Sequence, residues 1–189
     1  MDAPYYFSMS YVGSCRELHT PSVGYPLTAA DRDPNNSRVM AGGATGLAKV
    51  WELTNPLLQR VFQGHHDQVQ GLALSLDGRT LVSAASDGIR MWDVDSQKEL
   101  TQLNPRPAVF TSCAISQDGR TLAVGDFGGL ITLWNLASRQ QVGTLRGHGE
   151  DVYEMAFLPD GTTLVSASFD QFRIWRAASA AETDANEAK

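Results

Sequence analysis

Hydrophobic and polar positions alternate in short stretches along most of this 189-residue chain. Residues 69–74 and 130–134 show the pattern clearly, and turn-forming residues bound each stretch. Such alternation is typical of short β-strands. The exception is residues 177–189, an alanine-rich acidic tail that we expect to be disordered or helical. The pattern therefore predicts an all-β protein.

The predicted strands are organised in a repeat. Four tryptophans, spaced by 41, 42 and 41 residues, stand at Trp51, Trp92, Trp134 and Trp175. Asp-Gly pairs at 77–78, 118–119 and 160–161 keep the same spacing, and Asp-Gly is a strong hairpin signal. A repeat of about 40 to 45 residues with four short strands is the blade of a β-propeller.

Two copies of the repeat carry a family signature. Residues 64–93 read GHHDQVQGLALSLDGRTLVSAASDGIRMWD, and residues 147–175 read GHGEDVYEMAFLPDGTTLVSASFDQFRIW. With their Gly-His start and tryptophan end, both resemble the WD-repeat family, and weaker copies stand at 104–136 and 27–63. The ending FRIWRAAS is also similar to the C-terminal propeller part of bacterial WD-repeat proteins. The resemblance implies an all-β WD-repeat β-propeller of about four blades.

The repeat divides the chain into six parts. We expect an N-terminal segment at 1–26, a degenerate blade at 27–63, WD blades at 64–103, 104–146 and 147–176, and the acidic tail. The last blade lacks an outer strand, because no alternating apolar stretch follows its tryptophan. Residues 5–12 alternate and have β-prone composition, so they are a candidate closing strand. In the WD-repeat family such an exchange closes the ring.

A count of four blades does not determine how the ring closes. The chain could close on itself, two chains could form an eight-bladed ring, or the sequence could be a partial propeller within a larger one. Each arrangement would cover strand edges that are otherwise exposed. The sequence does not choose among the three.

The resemblance also implies a structural role for several polar residues. In WD-repeat proteins the Gly-His histidine, a strand hydroxyl, the turn aspartate and the tryptophan form a buried hydrogen-bond network. The matching residues of the last blade are His148, Ser168, Asp170 and Trp175. Those of the second blade are His65, Asp87 and Trp92, with Ala85 where the hydroxyl is expected. Such a network supplies partners for both nitrogens of a buried imidazole.

The same residues invite a catalytic interpretation. His148, Ser168 and Asp170 are the residue types of a nucleophilic triad, which can occur in any chain order. We favour the structural interpretation, because the second blade keeps the histidine and aspartate but has Ala85 at the hydroxyl position. A packing network tolerates that change, whereas a triad does not.

Other candidate catalytic and metal sites are weak. His65-His66 lacks a third ligand at a suitable spacing, and the glycines at 42–46 lack the lysine and hydroxyl residue of a phosphate loop. The sequence contains no G-x-S-x-G or kinase motif. We therefore predict no enzymatic activity, no metal and no cofactor.

Charge and targeting signals narrow the predicted partners. The chain has 15 Lys and Arg against 21 Asp and Glu, and its net charge of −6 has the wrong sign for a phosphate backbone. It shows neither a secretory signal nor an apolar stretch of membrane-spanning length. Cys15 and Cys113 form no Cys-x-x-Cys pair. We expect a cytoplasmic protein that binds neither nucleic acid nor membrane.

The function predicted from these features is that of a non-catalytic scaffold that binds a protein or peptide on the propeller face. In the WD-repeat family, partner-binding side chains often flank the first buried residue of the first strand or precede the turn aspartate. The matching positions here are Gln68, Gln70, Ser86, Val109, Thr111, Phe127, Asp151, Tyr153 and Phe169. A homodimer is an open alternative. So is a purely structural half or fragment of a larger propeller, including a regulatory part of a bacterial kinase-linked protein.

Overall fold

The computed structural model describes residues 26–33, 35, 37–103, 108–169 and 171–177. These residues form β-strands and no helix, so the predicted all-β class is confirmed. The candidate closing strand 5–12 and the acidic tail beyond residue 177 lie outside the described residues.

Four antiparallel sheets follow one another along the chain, and each is one blade of a propeller. The first blade contains β1 (Leu27–Arg32), β2 (Arg38–Gly43), β3 (Leu47–Glu52) and β4 (Asn55–Gln63). The second contains β5 (Val69–Leu74), β6 (Thr80–Ala85), β7 (Gly88–Asp93) and β8 (Glu99–Leu103). The third contains β9 (Phe110–Ile115), β10 (Thr121–Asp126), β11 (Leu130–Asn135) and β12 (Gln140–Arg146). The described strands of the fourth are β13 (Glu154–Phe157), β14 (Thr163–Ala167) and β15 (Phe172–Arg176).

The Asp-Gly pairs form the turns between the first and second strands, as the sequence predicts. In the second blade, the Asp77 carboxylate accepts hydrogen bonds from the Ser75 hydroxyl and the Arg79 backbone N–H. Gly78 has a φ of 69°, in the left-handed region that favours glycine. These bonds lower the pKa of Asp77, the Ser75 hydroxyl being the main cause. The turn therefore prefers an ionised aspartate.

Each blade has two faces, because side chains alternate along its strands. We call the side that carries the tryptophan of the third strand the tryptophan face, and the other side the opposite face. The opposite face of the first blade, with Met40 and Val50, packs against the tryptophan face of the second, with Leu81 and Trp92. The second and third blades pack in the same way, as do the third and fourth. The apolar cores therefore lie between blades.

The first strands of the blades surround a central cavity. β1 packs beside β5, β5 beside β9 and β9 beside β13, and all four blades contribute residues to the cavity wall. The described strands of the fourth blade make no comparable packing contact with those of the first.

Two of the three junctions between blades share a hydrogen bond at their inner end. The Thr28 hydroxyl donates to the carbonyl of Val69 at 2.6 Å, and the Thr111 hydroxyl donates to the carbonyl of Val152 at 2.6 Å. The repeat places Gln70 at the same position in the middle junction. The first junction and the third are therefore bonded alike, and the middle junction differs.

Glycines allow the close approach at the same two junctions. A Cβ atom on Gly42 would lie 2.7 Å from the Val69 side chain, and one on Gly125 would lie 2.8 Å from the Val152 side chain. Both distances are shorter than real Cβ contacts allow. These positions therefore need glycine for packing rather than for backbone conformation.

Candidate interaction face and its supporting network

A buried chain of hydrogen bonds supports the loops of the second blade. His65 Nε2 lies 2.7 Å from the Ser83 hydroxyl, and His65 Nδ1 lies 2.5 Å from the Asp87 carboxylate. The Trp92 indole N–H donates to the same Ser83 oxygen at 2.8 Å. Asp87 also accepts the backbone N–H of His66 at 3.0 Å. The structure thus brings together His65, Asp87 and Trp92, as the resemblance implies.

The donors and acceptors of this chain fix its protonation. Because the Ser83 oxygen accepts from Trp92, its own proton is free to reach His65 Nε2, and His65 Nδ1–H then donates to Asp87. Desolvation lowers the pKa of His65 and outweighs the opposing effect of Asp87. Burial raises the pKa of Asp87, but hydrogen bonds from His66 and His65 outweigh it and leave that pKa below its usual value. A neutral imidazole beside an ionised carboxylate satisfies every group.

Ser83, His65 and Asp87 have the connectivity of a catalytic triad, but their surroundings make that role impossible for this conformation. Ser83 is fully buried, and its oxygen already accepts the indole N–H of Trp92. A nucleophile needs an open path to a substrate atom. The arrangement therefore ties a loop to the blade core rather than presenting a reactive hydroxyl.

The structure corrects the predicted hydroxyl positions. In the second blade the hydroxyl is present, at Ser83 rather than at the position of Ala85, so the argument based on Ala85 was wrong. In the fourth blade the hydroxyl bonded to the tryptophan is Ser166, not Ser168. Both errors have one cause, since positions two apart in an extended segment share a face and the sequence does not show which of them reaches the tryptophan. In the structure the serine that does so is paired with the residue two positions before the tryptophan, Arg90 or Arg173.

The described residues of the fourth blade form a similar network. His148 Nε2 lies 2.7 Å from the Ser166 hydroxyl, and the Trp175 N–H donates to that hydroxyl at 2.8 Å. Ser168 lies 3.0 Å from His148 Nδ1, where Asp87 lies in the second blade. Asp170, the predicted partner, lies outside the described residues. Ser168 thus belongs to the network, but in a different place from the one predicted.

In the other two blades the tryptophan N–H has a different hydrogen-bonding environment. The Trp134 N–H donates to Thr132 on the same strand at 3.1 Å, because Val124 stands where Ser83 and Ser166 stand in their blades. Trp51 is buried, and its N–H has no hydrogen-bond partner among the described residues. The network is therefore strongest in the two blades with a Gly-His start.

Three of the predicted partner-binding residues are exposed aromatics on loops at one end of the third and fourth blades. Phe127 is 62% exposed, Tyr153 55% and Phe169 84%. We call these three residues the aromatic rim. Their loops touch, because the Tyr153 N–H bonds the Ala167 carbonyl and the Val152 N–H bonds the Asp126 carbonyl.

The remaining predicted residues have different environments. Gln68 and Val109 are exposed, Gln70 lines the central cavity, and the Ser86 hydroxyl donates to the Asp67 carboxylate. Asp151 is buried and accepts the Tyr153 phenol at 3.1 Å, a bond that raises the pKa of Tyr153. Thr111 is buried and its hydroxyl is used between blades, so we no longer regard it as a contact residue.

The central cavity has an acidic lining. Asp31 and Glu154 both border it. Burial raises the pKa of Asp31, and the negative charge of Glu154 adds to this effect. No pattern in the sequence marks these two residues, because their proximity arises from blades that lie far apart in the chain.

Within the part of the chain that the structure describes, no group of three or more His, Cys, Asp or Glu side chains could hold a metal ion. Among the same residues, no helix is long and apolar enough to cross a membrane.

Comparison with known proteins agrees with the geometry. The family model for the WD domain, G-beta repeat, matches residues 57–93, 98–135 and 139–175, more than half of the chain. The solved structure of U3-55K superposes with a TM-score of 0.74 at 20% identity, covering 84% of this chain and 51% of that one. This likeness shows the propeller fold.

Curated relatives give the same family. WD repeat-containing protein SL1-17 of Schistosoma mansoni is 25% identical over 82% of this chain and 52% of its own length. Apoptotic protease-activating factor 1 of Rattus norvegicus is 30% identical over 70% of this chain and 11% of its own length. Periodic tryptophan protein 2 homolog of Dictyostelium discoideum is 28% identical over 80% of this chain and 17% of its own length. The chain thus spans about half of the first relative and a smaller part of the others. It belongs to the WD-repeat family, whose propellers generally serve as non-catalytic interaction scaffolds.

Proposed function

We propose that this chain is a non-catalytic scaffold that binds a protein or peptide through the aromatic rim. The observation that carries the proposal is the exposure of Phe127, Tyr153 and Phe169 on three touching loops. Aromatic side chains are enriched among residues that dominate binding energy, since they bury a large area at low entropic cost. Single exposed apolar residues are ordinary, whereas three exposed aromatic residues on neighbouring loops favour a binding surface.

Hydrogen bonds anchor the loops that carry Phe169 and Tyr153. His148 and Ser168 fasten the residues around Phe169 to the buried Ser166, and the Asp151 carboxylate holds the Tyr153 phenol. A pre-organised surface loses less entropy on binding than a mobile one. The buried network therefore supports recognition without taking part in chemistry.

The charge around the rim indicates the class of partner. Asp67 and Glu150 are exposed on loops at the same end as the rim. A hydrogen bond from Ser86 lowers the pKa of Asp67, so this carboxylate stays ionised in neutral solution. A peptide with an apolar anchor and nearby basic residues fits this surface best. A cytoplasmic location and a link to a kinase stay predictions from the sequence.

Selection from a random-peptide display library on the immobilised chain tests the proposal. We expect enriched peptides to carry an aromatic or aliphatic anchor with lysine or arginine nearby. Their binding should fall at least about tenfold with Phe127→Ala, Tyr153→Ala and Phe169→Ala combined, a typical loss for anchor residues.

A matched control is Val142→Ala, since Val142 is 62% exposed but lies on β12, away from the rim. Urea unfolding should show that both variants remain folded. Failure to enrich any peptide, or equal peptide binding to the wild type and the triple variant, would contradict the proposal.

A further inference from the structure

The fourth blade exposes an apolar face. By strand register, Ala156, Val165 and Ile174 lie side by side across β13, β14 and β15, and Phe172 lies on the same side, opposite Ala167. We call these four residues the fourth-blade face. Phe172 is 71% exposed and Ile174 is 63% exposed. It is the opposite face of its blade, since Trp175 lies on the other side.

The corresponding faces of the other blades are covered. The residue three positions before the tryptophan is Ala48, Ile89 or Ile131 in those blades, and each is at most 1% exposed. In each case the next blade lays its tryptophan face over it. The fourth-blade face therefore has the composition of a packed surface, and among the described residues no blade packs on it.

The tryptophan face of the first blade is a poor match for the fourth-blade face. Trp51 is already 5% exposed, so little of it is left to bury. By strand register, Ala30 and Arg32 stand where the second blade has Leu72 and Leu74, and both are exposed. An alanine and an arginine at these two positions offer less apolar surface for packing than two leucines. This argues against closure within one chain and against a head-to-tail ring of two chains.

We propose that the fourth-blade face docks against the same face of a second copy of this chain. Two-fold symmetry needs one self-complementary patch, and an exposed apolar sheet face meets that need. Two sheets can pack with their strands nearly perpendicular. In this arrangement Phe172 lies beside its symmetry mate.

Charges at the corners of the face support this two-fold arrangement. Glu154 lies on the innermost strand at one end of the face, and Arg176 lies on the outermost strand at the other end. Glu154 and Arg176 therefore lie at the two ends of one diagonal of the face. If the two-fold axis runs along the other diagonal, which passes through Phe172, each Glu154 lies over the Arg176 of the second copy. Opposite charges then meet at two corners of one interface.

Light scattering and sedimentation of the full chain over a dilution series test the proposal. We expect twice the mass of one chain at micromolar concentration. Phe172→Ser combined with Ile174→Thr should give a monomer, whereas Val142→Ser, which removes an equally exposed apolar side chain on β12, should not. A monomeric wild type, or a dimer that survives the double substitution, would overturn the proposal.

Charge reversal tests the symmetry itself. Glu154→Arg alone and Arg176→Glu alone should each raise the dimer dissociation constant about tenfold, because each brings like charges together. The two substitutions combined should restore it to within a few fold of the wild type. A combined variant no better than either single one would overturn the two-fold arrangement. Urea unfolding of the dilute monomers should show that every variant remains folded, and Glu154→Arg should not lower the midpoint, because it removes a negative charge near Asp31.

Discussion

The second and fourth blades contain the same hydrogen-bonded core but differ in what surrounds it. In both, a Gly-His histidine and a tryptophan share one buried serine, Ser83 or Ser166. The opposite face of the second blade is covered by the third, whereas that of the fourth is exposed. The polar network is thus specified within one repeat, while burial of the apolar face depends on a neighbour. Substitutions at matched positions separate these two contributions.

The largest expected effect on stability comes from removing the shared serine. Ser83→Ala should lower the free energy of unfolding by about 3 kcal/mol, because both His65 Nε2 and the Trp92 N–H lose their partner inside a dry core. Ser166→Ala should cost less, about 2 kcal/mol, since Trp175 is only partly buried and water can reach the groups left behind.

Urea unfolding followed by tryptophan fluorescence measures both values. The exposed Ser138 provides the control, and Ser138→Ala should change the free energy of unfolding by less than about 0.5 kcal/mol. Equal costs for Ser83→Ala and Ser166→Ala would mean that the partial exposure of Trp175 does not reduce the cost of leaving these groups without a partner.

An intermediate effect concerns pH and the pair of His65 and Asp87. Burial lowers the pKa of His65 below its ordinary value of 6.5, so the unfolded chain takes up this proton before the folded chain does. The stability that comes from the neutral imidazole is complete above pH 6.5 and is lost as the pH falls toward the folded pKa. We expect the loss to be at most about 1.4 kcal/mol per pH unit.

Urea midpoints between pH 5.5 and 8 measure this dependence. His65→Gln should make the curve flatter in that range, and His66→Gln, which removes the exposed neighbouring imidazole, should not. A curve for His65→Gln that is as steep as that of the wild type would assign the dependence to another group.

The smallest expected effect is a rise in the free energy of unfolding, from a substitution at the junction of the third and fourth blades. The residue two positions after the tryptophan is the fully buried Val94 in the second blade but the exposed Ala177 in the fourth. A groove of about 220 Å³ beside Ala177 is lined by Leu133, Leu145, Phe157 and Leu164, among others. Ala177→Leu should fill part of it and raise the free energy of unfolding by about 1 kcal/mol. Ala177→Ser is the polar control, and a gain of the same size there would disprove filling of the groove as the cause.

Much of the fold was predictable because its signals are local. The tryptophan spacing and the Asp-Gly turns each act within one repeat, so the strands around Asp77 and Trp92 form where the sequence places them. The partners of His65 were predictable only in part. Asp87 is implied by the resemblance to the WD-repeat family, whereas the choice between the positions of Ser83 and Ala85 depends on strand register.

Contacts between blades were beyond the reach of the sequence. Thr111 matches a partner-binding position, yet its hydroxyl bonds a carbonyl 41 residues later and is buried by that contact. The exposure of Phe172 was equally hidden, because its alternation is the same as that of the buried Ile131. In both cases the deciding neighbour belongs to another repeat.

The junction between the second and third blades differs from the other two in the kind of contact that joins the blades. Thr28 and Thr111 each bond the inner end of one blade to a backbone carbonyl of the next, and a hydrogen bond depends on both distance and direction. The second and third blades are joined mainly through apolar side chains, whose attraction does not depend on direction. The first two blades and the last two are thus each joined by a directional bond as well as by apolar packing, whereas apolar packing joins the two halves of the propeller beside Gln70.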